Sequence, residues 1–263
     1  MGGLDRLRWE TGLLVERVAE WRAGIRDHRP PLPVPRDRPL VVVGPHLDDA
    51  VLSCGQLLAG SPGSSVVTVF TAGPERWTEL TEWDRSCGFR VGDDVMAARK
   101  SEDERALALL GAEPIWLDLV EGQYRRESAV AVTTALGDAL TRWDDADVVV
   151  PLGISHADHL VVADAAGSVA ARRRDLRWWV YADQPYASLF PDELAGRLAS
   201  RGIGEPGRPS ALGDHQRKRA AVHRYRSQLR PLRGSLAVAL RPERTWVLPQ
   251  RQGGAHRAAM PSG

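Results

Sequence analysis

Five apolar runs of strand length, separated by segments of helical spacing or polar loop, dominate the chain between residues 39 and 187. They read PLVVVGPH (39–46), SVVTVFTAG (65–73), EPIWLDLV (113–120), DVVVPLGI (147–154) and RWWVYADQPYA (177–187). A strand that is apolar nearly throughout must be covered on both faces, and helices placed between such strands supply that cover. Residues 48–59, 92–110, 127–142 and 157–171 read as those helices, with Gly111 as a C-cap of the second. The pattern predicts an α/β fold: a three-layer sandwich around a mostly parallel sheet.

The flanks read differently. Leu7, Leu14, Val18 and Trp21 fall near one face of residues 4–26, which predicts an N-terminal helix within 1–28. The prolines that follow remove donors and fix φ, so 29–38 is expected to be a linker. The main domain is expected over 39–250, including a basic helix at about 212–230 and a last short strand, TWVLP (245–249). Its basic side chains are read first as a solvated face, and otherwise as an attractor for a phosphorylated or nucleotide-linked substrate. The Gly/Ala/Pro-rich tail 251–263 is expected to be disordered.

Composition narrows the partners. The 263 residues carry a formal net charge of +1, too small a field to suggest nucleic acid or an anionic membrane. Among 35 Lys and Arg only Lys100 and Lys218 are lysine, a skew read as codon bias. Two cysteines, Cys54 and Cys87, give no disulfide framework and are expected to stay reduced. No stretch approaches the roughly 20 apolar residues of a membrane span, and the first residues lack a signal-peptide core. A cytoplasmic protein acting on a small molecule is the expectation.

Two segments carry chemistry. GPHLDDAVLSCG places His46, Asp48 and Asp49 directly after the first strand, and PLGISHADHLVVADA places His156, Asp158 and His159 after the fourth. Both are carboxyl ends of parallel strands, where open α/β sheets bind their ligands. Gly44 and Gly55 make no phosphate-binding fingerprint. Imidazole and carboxylate together suit zinc, although another divalent metal is compatible. Taken singly, each segment also has a plain reading. Asp48 or Asp49 could cap the following helix, and His46 could be a core histidine. Two histidines three residues apart across a helix start are weak alone. Jointly, two strand ends in one sheet each offer His plus Asp, and three of the seven histidines fall there.

At these residues the chain resembles the LmbE-like, or PIG-L, family of zinc-dependent N-deacetylases. The family's (A/P)HPDDE and HPDH segments read here as PHLDDA (45–50) and HADH (156–159). Softer likeness extends through TEWDRSCGF (81–89), RKSEDERALALLGAEP (99–114), EGQYR (121–125), YADQPYA (181–187) and HRYRSQL (223–229). The resemblance implies a Rossmann-like fold with zinc on His46, Asp49 and His159. It implies Asp48 as general base, His156 as oxyanion donor or acid, Asp158 as its support and Arg99 as a substrate-binding residue. Tyr124 and Arg125 are added as residues near strand-end loops that could line the pocket. Trp77 and Trp83 could stack on a sugar face or anchor their loop. Leu47 replaces the motif's proline, and Ala50 replaces its final glutamate, removing a carboxylate near the site.

The implied activity is hydrolysis of the N-acetyl or other acyl group of an amino sugar or glycoside conjugate. Two alternatives remain open from the residues: a metal hydrolase of a non-sugar amide or ester, and a non-catalytic binding module with a structural metal. Retention of Asp48 speaks against the second, because a structural metal needs no base.

Overall fold

The computed structural model describes residue 34 and residues 37–75, 79–204, 214–232, 237, 240–241 and 243–250. The expected N-terminal helix, most of the expected linker, Trp77 and the tail lie outside the described residues. In chain order the elements are β1 (Leu40–Gly44), α1 (Asp49–Ala59), β2 (Ser65–Ala72), α2 (Glu82–Cys87), α3 (Val95–Leu110), β3 (Glu113–Val120), α4 (Ala129–Leu140) and β4 (Asp147–Pro151). They continue with α5 (Ala157–Ala170), β5 (Arg177–Tyr181), α6 (Tyr186–Leu189), α7 (Pro191–Ser200), α8 (His215–Val222) and β6 (Thr245–Val247).

The six strands form one sheet in the order β3-β2-β1-β4-β5-β6. The first five are mutually parallel. β6 closes one edge antiparallel to β5, with Val180 opposite Trp246. Alternate side chains of each strand feed two cores. Val41, Val43, Val67, Val69, Val148 and Val150 pack against Val132, Leu136 and Leu140 of α4 and Val162 and Val169 of α5. Leu40, Val42, Val66, Val149 and Trp179 face the opposite way, onto Val51 and Leu58 of α1, Leu107 and Leu110 of α3 and Val222 of α8. The three expected layers are therefore present, and they follow from the period-two geometry of fully covered strands.

Several boundaries differ from the sequence reading. β5 ends at Tyr181, not at residue 187. Asp183 there turns its carboxylate inward and Pro185 has no N–H for a ladder, so the chain leaves the sheet. The region beyond holds α7, for which the sequence reading offered no element. Pro191 stands in its first turn with Asp192 and Glu193, and Leu194 and Leu198 are buried beneath it.

The basic segment is also corrected. Helix covers only His215–Val222, and it is no uniform solvated face. Arg219, Arg224 and Arg226 are exposed, whereas Lys218 is fully buried. Arg217 reaches the carbonyls of Ala59 and Leu109, which close the C-terminal turns of α1 and α3. A guanidinium there satisfies orphan carbonyls and complements two helix dipoles.

Lys218 serves α1 from the side. That helix is kinked at Cys54, whose φ and ψ of −132° and 17° are not helical. The amides released beyond the kink donate to one carboxylate, Gln56 N–H to Glu243 Oε1 at 2.7 Å and Leu57 N–H to Oε2 at 2.9 Å. Lys218 Nζ donates to the same carboxylate at 2.7 Å. Gly55 lets the lysine stem approach, since a Cβ there would lie 2.8 Å from Lys218 Cγ. Removing the acid leaves a buried ammonium and two unpaired amides. Glu243→Ala is therefore expected to lower unfolding free energy in urea by about 3–5 kcal/mol. A loss under about 1 kcal/mol, the size of one ordinary hydrogen bond, would show that the ion pair does not hold the kink.

Candidate metal and catalytic site

The strand order reverses between β1 and β4, so the segments leaving their carboxyl ends meet at one crevice. From β1 the chain runs through Pro45, whose carbonyl accepts from Phe70 N–H on β2 at 2.9 Å. His46 follows, and Asp48 takes the N-cap position of α1. From β4 the chain turns sharply at Ser155, which adopts a left-handed φ of 61°. His156 is the N-cap of α5, and His159 lies in its first turn.

Asp49 joins the two segments. Its Oδ2 lies 3.2 Å from His46 Nδ1 and 3.2 Å from His159 Nε2, and it accepts His46 N–H at 2.9 Å. His46, His156 and His159 each place a ring nitrogen within 4.8 Å of the others. His159 Nε2 is buried and has no hydrogen-bond partner. A buried polar atom left unpaired needs an explanation, and a divalent cation shared with Asp49 Oδ2 and His46 Nδ1 provides one. The donor set thus fits a divalent metal ion.

The far side of each imidazole is also engaged. His46 Nε2 lies 3.0 Å from Asp158 Oδ2, which accepts Gly122 N–H at 3.0 Å as well. The approach requires glycine at 122, because a Cβ there would lie 2.4 Å from Asp158 Oδ1. Asp158 was expected to support His156. Its carboxylate instead backs His46, and only its backbone N–H meets His156, donating to Nδ1 at 3.2 Å. That bond fixes His156 as an acceptor at Nδ1. Burial, then the charges of His46 and His159, push its imidazolium down to about 4. A neutral ring with its proton on Nε2 follows.

Asp48 and Asp49 behave oppositely. His159, and after it His46, hold the Asp49 carboxyl far below the usual range, overriding its burial. Asp48 is pushed up to about 7, by burial first and by the Asp49 charge second. Asp48 occupies the N-cap position of α1, but its side chain makes no cap hydrogen bond to that helix.

The expected substrate-binding residues fall in three environments. Arg99 lies on α3, 2% exposed, and grips Glu121 with both terminal nitrogens at 2.6 and 3.1 Å. Its charge bears on Asp48, but the guanidinium is committed to Glu121. Tyr124 donates to the buried Asp84 carboxylate at 3.0 Å. Arg125 is exposed and pairs with Glu127. Trp83 lies in α2 rather than in a loop, and its indole donates to Gln228 at 3.1 Å. Ala50 is buried in the apolar layer beneath α1.

Three groups here had no role assigned from the sequence. Glu121 brings a carboxylate to 3.6 Å from His46 Nε2. Asp183 backs His159 at Nδ1. Tyr186 sets its ring edgewise to His159, with centroids 5.0 Å apart. Glu121 opens EGQYR (121–125), and Asp183 and Tyr186 lie in YADQPYA (181–187), stretches whose likeness to the family attached no role to these three residues.

The geometry separates residues that hold a cation from residues that do not. His159→Ala is expected to abolish stoichiometric binding of a divalent metal, read by elemental analysis after dialysis. Arg125→Ala should leave both metal content and stability unchanged, within about 0.5 kcal/mol. Retention of one metal per chain by His159→Ala would remove this histidine from the ligand set.

Residues 41–170 match the PIG-L family, described as GlcNAc-PI de-N-acetylase. No curated protein matches the sequence. Among solved structures the chain is similar to the A40926 pseudoaglycone deacetylase Dbv21, with a TM-score of 0.66 and 25% identity over 82% of this chain and 98% of that one. It shares its fold with the zinc inhibited form of teicoplanin deacetylase Orf2 (TM-score 0.66, 22% identity, 81% of this chain and 99% of that one). It shares the fold also with GalB, a 4-carboxy-2-hydroxymuconate hydratase of Pseudomonas putida (TM-score 0.50, 17% identity, 82% and 98%). The matched stretch contains both strand-end segments and every residue of the histidine cluster, and residues 41–170 form a PIG-L, or LmbE-like, family domain.

Proposed function

We propose that this protein is a zinc-dependent N-deacetylase that removes the acetyl group from an amino sugar or glycoside conjugate. The observation that carries the reading is Asp48: a buried carboxylate at a helix N-terminus, uncommitted to that helix and adjacent to the metal-binding set. The family description and the likeness to a pseudoaglycone deacetylase support the substrate class.

In this reading His46, Asp49 and His159 hold the zinc ion. When bound, the ion supplies Lewis acidity and an acidified water. Asp48 accepts a proton from the attacking water and returns it to the departing amine. A carboxyl group poised near 7 suits both transfers at neutral pH. His156 is constrained at Nδ1, so Nε2–H is its donor toward the developing oxyanion. Asp158 holds His46 in place through Nε2. Arg99 sits behind Asp48 and moderates its rise, while Glu121 keeps that arginine fixed. Tyr186 borders the histidines and offers an aromatic wall to the substrate.

Acetate release from a panel of N-acetylated sugars and glycosides, with and without chelator, tests the reading. Chelator-sensitive release is expected. Release confined to esters or non-sugar amides would redirect the substrate class, and none from any substrate would refute the hydrolase reading. Asp48→Asn should keep its metal and lose about 10²–10⁴ in kcat, the range of general acid–base catalysis. Turnover at the wild-type rate would remove Asp48 as the base.

A further inference from the structure

His159 is bracketed by two carboxylates. Asp49 lies on its Nε2 side at 3.2 Å and Asp183 on its Nδ1 side at 2.7 Å. The imidazole is 1% exposed and Asp183 is fully buried. Asp183 is spoken for at both oxygens, since its Oδ2 accepts Gly153 N–H at 3.0 Å. Its backbone is held too, its carbonyl accepting Ala187 N–H at 2.7 Å. Gly153 follows β4 and Asp183 follows β5, one step past the point where Leu152 N–H meets the Tyr181 carbonyl. The carboxylate therefore extends the β4–β5 pairing beyond the sheet and ends it on the imidazole.

An ionised carboxylate only accepts hydrogen bonds. A ligating imidazole is neutral and carries one proton, and with Asp183 Oδ1 2.7 Å from Nδ1 that proton belongs on Nδ1, which leaves the Nε2 lone pair on the side of Asp49. The geometry points to Asp183 as a positioning residue of the metal site, one that sets the tautomer and ring plane of His159 and ties both to the ends of β4 and β5. The inference rests on the reading in which His159 binds the cation through Nε2. His46 shows the mirrored arrangement, with Asp158 on its Nε2 and Nδ1 toward Asp49. Each imidazole is thus backed on the nitrogen turned away from Asp49. A carboxylate so placed orients a ligating imidazole and raises its basicity.

Two measurements on the full chain test this. In wild-type protein loaded with zinc and labelled with ¹⁵N-histidine, long-range ¹H–¹⁵N correlations should show His159 protonated at Nδ1 and bound at Nε2. Binding through Nδ1 would overturn the inference. Zinc affinity, by competition with a chromophoric chelator, should fall about 10- to 100-fold in Asp183→Asn. A residue that only ties the two strands would lower the melting temperature of the zinc-free protein and leave zinc affinity unchanged, and that result also overturns it. Should the variant not fold, the wild-type spectrum decides alone. Both readouts are independent of turnover. A protein that passes them and releases no acetate keeps Asp183 in this role and loses the deacetylase reading.

Discussion

Everything at the site follows from the pairing of β1 with β4. Residues Leu40, Val41 and Val42 lie in parallel register with Asp147, Val148 and Val149, although more than a hundred residues separate the strands. Parallel pairing aligns their carboxyl ends, and the reversal of strand order sends the following helices to opposite faces. α1 lies over one core and α5 over the other. Their first turns open on the same crevice, so one carboxylate, Asp49, reaches an imidazole from each side. A shift of this register by one residue would turn every core valine to the wrong face, so the apolar layers that stabilise the sheet also fix the site.

Within that frame, local charge assigns different work to neighbouring residues. Asp48 and Asp49 are adjacent in sequence and both buried, yet one is pushed up to about 7 and the other is held far down by His159 and His46. Two titrating groups driven apart by their surroundings are the usual mark of an acid–base assignment. His156 and His159 divide in the same way. One is half-exposed, constrained by a backbone amide and neutral, while the other is enclosed between carboxylates.

How much of this was legible in the sequence depends on the range of the interaction. The runs LVVVG and DVVVP declared buried parallel strands, and the His and Asp residues behind them declared the site, because both signals are local. Partner choice was not local. Asp158 lies two residues from His156, and sequence proximity suggested a pair. The fold instead carries its carboxylate to His46, 112 residues away. Asp183 was visible within YADQPYA but with no role attached, and its inward turn depends on a histidine and a glycine supplied by the β4 segment. The basic helix misled for a related reason. Its spacing gave no sign that Lys218 would have a buried acid waiting or that Arg217 would find the carbonyl ends of two helices.

The kink in α1 bears on how the chain assembles. The segment with His46, Asp48 and Asp49 is made early, but the carboxylate that receives the kinked helix's freed amides stands 187 residues beyond Gln56. During vectorial synthesis the first half of the site exists long before the helix behind it can be closed. Long-range closure of this kind slows folding, because loop entropy is spent before the contact rewards it. The five parallel strands are all made before Glu243, but α1 reaches its final form only when the segment around that residue arrives. Maturation of the site is in this sense a late event, set by the far end of the domain and not by the motif itself.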